Sequence, residues 1–212
     1  MKTAPRRRGR FIAIEGIDGV GKSTLLGSLA NALRRRGLSV GVRREPSDPR
    51  LGRLAQEASV ADPWTGATYF TLDRYLARPA LDRDLSRHDI VLADRSFYST
   101  LAYQGSALPR GARRKLERLQ IAATRPPDLV IWIELSPVDA LARLGRRGAR
   151  RAPLERRTTL ERVDRAYRAL ARRHRWAVLD GRASPRELLA GALDALGPVP
   201  RRPLRPRRPG RR

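Results

Sequence analysis

The sequence contains no cysteine, a single methionine and no long apolar run. Without cysteine the chain forms neither disulfides nor thiolate-ligated metal sites, which fits a reducing compartment and leads us to expect a cytoplasmic protein. No segment approaches the roughly 18 apolar residues that a membrane-spanning helix needs. No apolar segment of the signal-peptide type follows the basic N-terminus. We therefore expect no contact with a membrane.

Lysine is scarce as well, since only three of the 46 basic residues are lysines, in a chain with a net charge of +25. Residues 1–10 and 198–212 hold twelve basic and no acidic residues, so the other 34 basic and 21 acidic residues leave +13 for residues 11–197. We predict a basic extension at 1–9, a folded domain at 10–197 and a disordered tail rich in arginine and proline at 198–212. The tail is either simply solvated or contacts nucleic acid or another polyanion nonspecifically.

Apolar periodicity predicts strands that alternate with helices. This alternation favours an α/β fold with about five parallel strands and helices on both faces of the sheet. The predicted strands are RFIAIE, LSVGVRR, HDIVLAD, LVIWIEL and residues 175–179. The predicted helices follow the first glycine-rich loop up to Gly37, lie near 50–60, 66–86, 97–103 and 110–123, begin at SPVDALARL, and cover 158–173 and 185–196.

One of the three lysines lies in that glycine-rich loop, between the first strand and the first helix. Residues 16–23 match the pattern G-x-x-x-x-G-K-[ST]. The loop N–H groups would cradle phosphates, Lys22 would fit as a compact charge between the β- and γ-phosphates, and Ser23 would ligate Mg²⁺. The alternative is a plain glycine turn that caps a helix. The predicted ATP-binding residues are Gly16, Ile17, Asp18, Gly19, Val20, Gly21, Lys22, Ser23 and Thr24.

The acidic residue of this loop, Asp18, needs a separate explanation. A carboxylate inside a phosphate cradle would repel phosphate. We therefore expect Asp18 to point away from the triphosphate, toward a group that carries a hydroxyl. The alternative is an acid that faces solvent or accepts a hydrogen bond within a local turn.

Four further motifs follow the glycine loop in chain order. They are RREPSD at 43–48, YFTLDRY at 69–75, ADRSFYSTLAYQG at 93–105 and a basic, glycine-rich loop at 145–157. Together with the glycine loop they resemble the bacterial thymidylate kinases, which are P-loop nucleoside monophosphate kinases that phosphorylate dTMP with ATP. The resemblance covers roughly residues 10–197. It implies a three-layer P-loop fold with 145–157 as a short lid, ATP and dTMP as substrates, Mg²⁺ as cofactor, and a homodimer.

The resemblance also implies roles for individual residues. Asp18 would accept a hydrogen bond from the dTMP 3′-hydroxyl, Phe70 would stack on the thymine ring, and Arg74, one helical turn further on, would reach a base carbonyl. Arg95 would hold the dTMP phosphate, while Asp94, at a strand end, would act on the Mg²⁺–water shell or the acceptor phosphate network. The other implied substrate-binding residues are Arg44, Glu45, Pro46, Ser99, Tyr103 and Gln104. Of these, Tyr103 would disfavour a ribose 2′-hydroxyl.

Each of these roles has a structural alternative that the sequence leaves open. The alternatives are Phe70 and Tyr103 as core side chains, Arg74 as a surface arginine paired with Asp73, Asp94 and Arg95 as a structural ion pair, Arg44 as a solvated side chain, Glu45 as the partner of a nearby arginine, and Gln104 as a helix-end amide.

The sequence departs from the family pattern at four places. Ser96 follows the DR pair where an aromatic residue or histidine is common, and Ser47-Asp48 follow the REP motif where glycines are usual. Gly19 stands where some relatives have an arginine, and in relatives with this loop pattern the catalytic arginine comes from the lid. The Asp-Arg pair of their lid is missing here. The candidate catalytic residues are Lys22, Asp94, Arg95 and one lid arginine among Arg147, Arg150 and Arg151.

The sequence therefore predicts transfer of the γ-phosphate of ATP to dTMP, giving dTDP and ADP for dTTP synthesis. Two other functions stay open. The chain could be a P-loop kinase of another nucleoside or nucleotide. It could also be a P-loop protein with weak catalysis that binds nucleic acid through its basic ends.

Overall fold

A computed structural model describes residues 8–146 and 156–199 of the chain. No helix in these two segments combines the length and the apolarity that crossing a membrane requires. The elements are β1 (Arg10–Glu15), α1 (Lys22–Arg35), β2 (Val40–Arg44), α2 (Pro49–Ala61), α3 (Pro63–Arg87), β3 (Ile90–Asp94), α4 (Phe97–Tyr103), a 3₁₀ turn (Gly105–Ala107), α5 (Arg110–Ala123), β4 (Leu129–Glu134), α6 (Pro137–Arg146), α7 (Arg157–His174), β5 (Ala177–Asp180) and α8 (Pro185–Leu196).

The five strands form one parallel sheet in the order β2-β3-β1-β4-β5, which confirms the predicted α/β class. Strand β1 is central, and its Ile14 pairs with Asp94 of β3. Because all strands are parallel, their carboxyl ends meet at one edge of the sheet, where ligands of α/β proteins bind. The glycine loop, the segment after β2 and the segment after β3 all leave the sheet at this edge.

The core explains why the central strands read as continuous apolar runs. Strands β1 and β3 are buried almost throughout, because helices cover both faces of the sheet. Ile12 and Ile14 of β1 belong to the main core, which also contains the buried face of α1. Phe11 of the same strand packs in a second cluster with Leu81 and Leu85 of α3. Successive side chains of β1 thus pack on opposite faces of the sheet, and both faces hold the strand in place before the glycine loop.

Helix α3 begins at Pro63, ahead of the predicted start at residue 66. The Asp62 side chain caps the helix by accepting hydrogen bonds from the backbone N–H groups of Trp64 and Thr65, and a proline fits the first turn. Strand β5 begins at Ala177, two residues later than predicted, because Arg175 takes a left-handed φ of 53° that ends α7.

The predicted lid at 145–157 overlaps two helices at its ends. Helix α6 continues to Arg146 and α7 begins at Arg157. Residues 147–155 lie outside the described part of the chain, as do most of the predicted basic extension and of the predicted tail.

Candidate active site

The glycine loop joins β1 to α1 through backbone conformations that L side chains rarely adopt. The φ angles of Gly16, Gly19 and Gly21 are 144°, 89° and 99°. The Lys22 side chain folds back over the loop, where its Nζ donates a hydrogen bond to the carbonyl of Ile17 at 2.9 Å. The loop thus curls around a buried ammonium, as expected of a phosphate cradle.

Gly19 also lies directly against helix α6. A Cβ atom at this position would come 2.5 Å from the carbonyl oxygen of Ala140 and 3.1 Å from Cγ of Leu144. No side chain, an arginine included, fits here unless α6 moves. The packing of α6 therefore gives a physical reason for the glycine that distinguishes this loop from the arginine-bearing version.

The two predicted metal ligands, Ser23 and Asp94, are neighbours. Ser23, in the first turn of α1, donates its hydroxyl proton to Oδ2 of Asp94 at 2.6 Å. Within the described segments no group of three or more histidine, cysteine or acidic side chains could hold a metal ion. A hydroxyl and one carboxylate fit Mg²⁺, which usually takes one or two protein oxygens and completes its shell with water and substrate phosphates.

Asp18 joins the two cations of the site. Its Oδ1 accepts a hydrogen bond from Nη2 of Arg95 at 2.5 Å and a longer one from Nζ of Lys22 at 3.4 Å. Burial alone would raise the pKa of the Asp18 carboxyl, but the charges of Arg95 and Lys22 hold this pKa well below its usual range. Burial and the charge of Arg95 lower the pKa of Lys22 to about 8, although Asp18 opposes them. Arg95 therefore pairs with the loop acid rather than with its chain neighbour Asp94.

Arg74 lies in a second ion pair, behind the first. It is 7% exposed, and its Nε donates to Oε2 of Glu45 at 2.5 Å. Its Nη1 donates to the hydroxyl of Thr100 at 2.8 Å and its Nη2 to the carbonyl of Ser96 at 3.0 Å. Burial raises the pKa of Glu45 despite the opposing charge of Arg74. The alternative of Arg74 as a surface arginine paired with Asp73 is therefore wrong. The alternative of Glu45 as the partner of a nearby arginine is confirmed, and that arginine is Arg74.

Two aromatic side chains lie beside these arginines. The half-buried Phe70 has its ring centroid 6.0 Å from Cζ of Arg74. The Tyr103 ring centroid is 5.3 Å from Cζ of Arg95. The Tyr103 hydroxyl is buried and has no well-formed hydrogen bond to any described residue, and burial raises its pKa. Each aromatic ring thus accompanies one of the cations predicted to contact the acceptor.

The remaining predicted acceptor residues lie in different surroundings. Arg44 is exposed at the end of β2. Pro46 packs against α2, so closely that a Cβ atom on Gly52 would come 2.4 Å from its Cγ. Gln104 is 4% exposed and donates from Nε2 to the hydroxyl of Ser59 at 3.0 Å, a contact that fits the alternative of a helix-end amide. Their substrate-binding roles stay predictions.

Several polar residues near the site were given no functional role by the sequence. Glu15 is fully buried and accepts hydrogen bonds from Ser99 and Tyr167. Asp73 accepts from the backbone N–H groups of residues 47 and 48 and thereby fixes the segment after the REP motif. Thr100 contacts Arg74. For Glu15 the sequence held one signal, a charged residue at the end of an otherwise apolar strand.

The edge of the sheet thus collects residues that are far apart in the chain. The lid arginines Arg147, Arg150 and Arg151 lie outside the described residues. The predicted residues that direct hydrogen bonds, ion pairs or ring contacts connect in this cluster are Gly16, Ile17, Asp18, Lys22, Ser23, Glu45, Phe70, Arg74, Asp94, Arg95, Ser99 and Tyr103.

Comparison with known proteins agrees with this arrangement. The sequence profile described as "Thymidylate kinase" matches residues 14–190. A "Thymidylate kinase" of Carboxydothermus hydrogenoformans is 35% identical over 203 residues, which cover 89% of this chain and 98% of the relative. A "Thymidylate kinase" of Paracidovorax citrulli is 35% identical over 204 residues, covering 89% and 92% of the two chains.

A third relative, the "Probable thymidylate kinase" of Methanopyrus kandleri, is 42% identical over 164 residues, which cover 77% of this chain and 75% of the relative. The profile spans most of the sheet and its helices, and the two longer alignments cover nearly the whole of each relative. The chain belongs to the thymidylate kinase family.

Proposed function

We propose that this protein is a cytoplasmic enzyme that transfers the γ-phosphate of ATP to dTMP, giving dTDP and ADP for the synthesis of dTTP. The observation that carries the proposal is the carboxylate of Asp18, which binds both Arg95 and Lys22. A cation suited to the donor phosphates and a cation suited to the acceptor phosphate therefore lie side by side. Transfer between two anions requires such an arrangement, because most of the catalysis is positioning and charge neutralisation.

On the donor side, the loop N–H groups and Lys22 bind the phosphates of ATP. Ser23 and Asp94 would hold Mg²⁺ with the nucleotide, and the ion would neutralise phosphate charge. Lys22 is already buried against the loop, so little side-chain freedom is lost when phosphate binds.

On the acceptor side, Arg95 binds the dTMP phosphate and Asp18 accepts a hydrogen bond from the 3′-hydroxyl. Phe70 stacks on the thymine ring beside Arg74, whose guanidinium Glu45 holds in one orientation. A phosphate oxygen of dTMP is already nucleophilic, so no strong general base is needed. Arg44, Pro46, Ser99, Tyr103 and Gln104 complete the proposed acceptor site.

One arginine among Arg147, Arg150 and Arg151 stabilises the charge that develops during transfer. Arginines in this role increase phosphoryl-transfer rates by roughly 10³–10⁵. Each of the three is to be replaced by alanine in turn. The catalytic one is expected to lower kcat while KM for dTMP changes little.

We also propose a homodimer that buries the apolar side chains exposed on α2 and α3. Leu54, Leu72, Tyr75 and Leu76 are between 42% and 61% exposed, and three of them lie within two turns of α3. Exposed apolar side chains of this kind suit a two-fold interface. Light scattering tests the proposal: the wild type should have a dimer mass and Leu76→Lys a monomer mass.

The arginine-rich tail at 198–212 is proposed to contact polyanions nonspecifically. Its seven arginines and lack of acidic residues would give binding that weakens steeply with salt. Deletion of the tail should abolish salt-sensitive DNA binding and leave dTMP turnover unchanged. DNA binding that survives the deletion contradicts this role.

ADP release with purified full-length protein tests the main proposal. Turnover is to be compared for dTMP, dUMP, dCMP, UMP and thymidine, each with ATP and Mg²⁺. A clear preference for dTMP is expected. Lys22→Met should abolish turnover while the protein stays folded. Turnover without a preference for dTMP would identify a kinase of another nucleotide, and no turnover at all would leave a P-loop binding protein.

A further inference from the structure

The last residue of β1, Glu15, is a fully buried carboxylate directly before the glycine loop. Its Oε1 accepts hydrogen bonds from the backbone N–H and the hydroxyl of Ser96, both at 2.7 Å. Its Oε2 accepts from the hydroxyl of Ser99 at 2.6 Å and from that of Tyr167 at 2.9 Å. All four donors are neutral, and no described cation forms an ion pair with Glu15. Buried charges usually have such a pair, so the four hydrogen bonds must satisfy this carboxylate.

Ser99 connects this carboxylate to the acceptor cation. Its single proton points to Oε2 of Glu15, and its oxygen accepts a hydrogen bond from Nη1 of Arg95 at 3.1 Å. The Tyr167 hydroxyl lies 3.0 Å from Ser99 but also directs its proton to Oε2. An ionised carboxylate can only accept hydrogen bonds. Glu15 therefore fixes the direction of the Ser99 proton and makes Ser99 an acceptor toward Arg95.

The two carboxylate oxygens act on two parts of the same region. Oε1 binds Ser96, the residue that follows Arg95 in the chain. The backbone of Arg95 has the left-handed φ of 77° that is uncommon outside glycine, so it needs support from its neighbours. Oε2 acts, through Ser99, on the guanidinium end. Glu15 thus supports both ends of Arg95 without touching it.

We propose that Glu15 is a positioning residue that, through Ser99, holds the Arg95 guanidinium in the orientation required to bind the acceptor phosphate. The inference rests on the proposed function for the identity of that phosphate. In this role Glu15 affects the proposed reaction without contacting either substrate.

Glu15→Gln tests the proposal because glutamine has the shape of glutamate but replaces one acceptor oxygen with a donor NH₂ group. If the new amide group faces Ser96, it places a donor against the backbone N–H. Because the backbone N–H of Ser96 cannot turn away, whereas the hydroxyls of Ser99 and Tyr167 can rotate, the amide group should face Ser99. The Ser99 hydroxyl then has no acceptor at this position, so its proton is no longer held away from Nη1 of Arg95 and the contact between Ser99 and Arg95 should be lost. A lost hydrogen bond to a charged group predicts a roughly 10- to 100-fold decrease in kcat/KM for dTMP, with KM for ATP changed less than about threefold.

Two further variants separate positioning from a general structural role. Ser99→Ala removes the connection and should reproduce the selective loss for dTMP, and Glu15→Gln should then cost little more in the Ser99→Ala background. Tyr167→Phe is the matched control, since it removes one donor to Oε2 and leaves the Ser99 proton in place. It should change kcat/KM for dTMP by less than about threefold.

The outcomes are distinct. Additive effects of Glu15→Gln and Ser99→Ala, or equal losses for ATP and dTMP, overturn the positioning role. If Glu15→Gln does not fold, Ser99→Ala decides alone, and unchanged kinetics for dTMP in that variant overturn the role. If the wild type does not phosphorylate dTMP, the proposed function fails. Crystal structures of the wild type and of Glu15→Gln without substrate then test the positioning role of Glu15 separately. An Arg95–Ser99 hydrogen bond that persists in Glu15→Gln contradicts it, and its loss supports it.

Discussion

Gly19→Ala is expected to destabilise the protein more than Gly21→Ala, although the two glycines lie two residues apart in the same loop. Both have positive φ angles, 89° and 99°. A Cβ atom on Gly21 would meet nothing within 4 Å, whereas one on Gly19 would come 2.5 Å from the backbone oxygen of Ala140. The pair therefore separates the cost of backbone strain from the cost of contact with α6.

The magnitude follows from these two terms. A left-handed conformation costs a non-glycine residue about 1–2 kcal/mol, and this applies to both variants. Gly19→Ala must also move α6 or the loop, and overpacking of this kind adds about 1–3 kcal/mol. We expect a loss of about 2–5 kcal/mol for Gly19→Ala and about 1–2 kcal/mol for Gly21→Ala. In a domain of this size each kcal/mol lowers Tm by about 2–4 °C.

Urea unfolding measures both variants against the wild type. The experiment is done without nucleotide, because both glycines lie in the predicted phosphate cradle and a bound ligand would contribute to the apparent stability. The m-values should agree among the three proteins, so that the midpoints report stability alone. Equal destabilisation by the two substitutions would refute the argument, since it would mean that α6 does not restrict position 19.

Three other predictions concern charge. Because the pKa of Lys22 is lowered to about 8, the free enzyme should lose its ammonium above that pH, and kcat/KM for ATP should fall tenfold per pH unit there; a profile that stays flat to pH 10 contradicts this. Arg74→Met leaves Glu45 buried without its partner and should cost about 3–5 kcal/mol in thermal or urea unfolding, whereas the exposed Arg78→Met, one turn further on, should change stability by less than about 0.5 kcal/mol. Ser23→Ala should raise the Mg²⁺ concentration for half-maximal turnover about tenfold, as expected for one lost interaction of about 1.4 kcal/mol, and leave KM for dTMP unchanged.

The alternation of strands and helices and the glycine loop were predictable because both are local signals. The start of α3 carried a local signal as well, since Asp62 is a capping acid before a first-turn proline, but the periodicity placed that start three residues late, at residue 66. The strand order was not predictable in this way. The chain passes from β1 to the edge strand β2 and then returns to β3, and periodicity within a strand carries no information about its neighbours.

The site shows the same limit at the level of single side chains. Asp73 was a candidate partner of Arg74 because it is adjacent in the chain, but successive residues on a helix point in different directions. Arg74 reaches Glu45, 29 positions away, while Asp73 turns to the backbone that follows the REP motif. The contact between Glu15 and Tyr167 spans 152 positions. The packing of α7 against α4, which brings the Tyr167 hydroxyl to the end of β1, must be known before either residue can be recognised as part of the site.

The charges around the glycine loop also explain why the described cluster needs further cations. Its members are Lys22 and Arg95 on the positive side and Asp18, Asp94 and Glu15 on the negative side. With Lys22 protonated, the cluster carries one more negative than positive charge, whereas both substrates bring phosphate groups of the same negative sign. Cations from outside the cluster must supply the missing charge. We propose that Mg²⁺ would supply part of it with the nucleotide, and that the segment between α6 and α7, which contains four arginines and one glutamate, supplies the rest. The expectation of a catalytic arginine in that segment comes from the resemblance to the family, and the charge balance of the described cluster agrees with it.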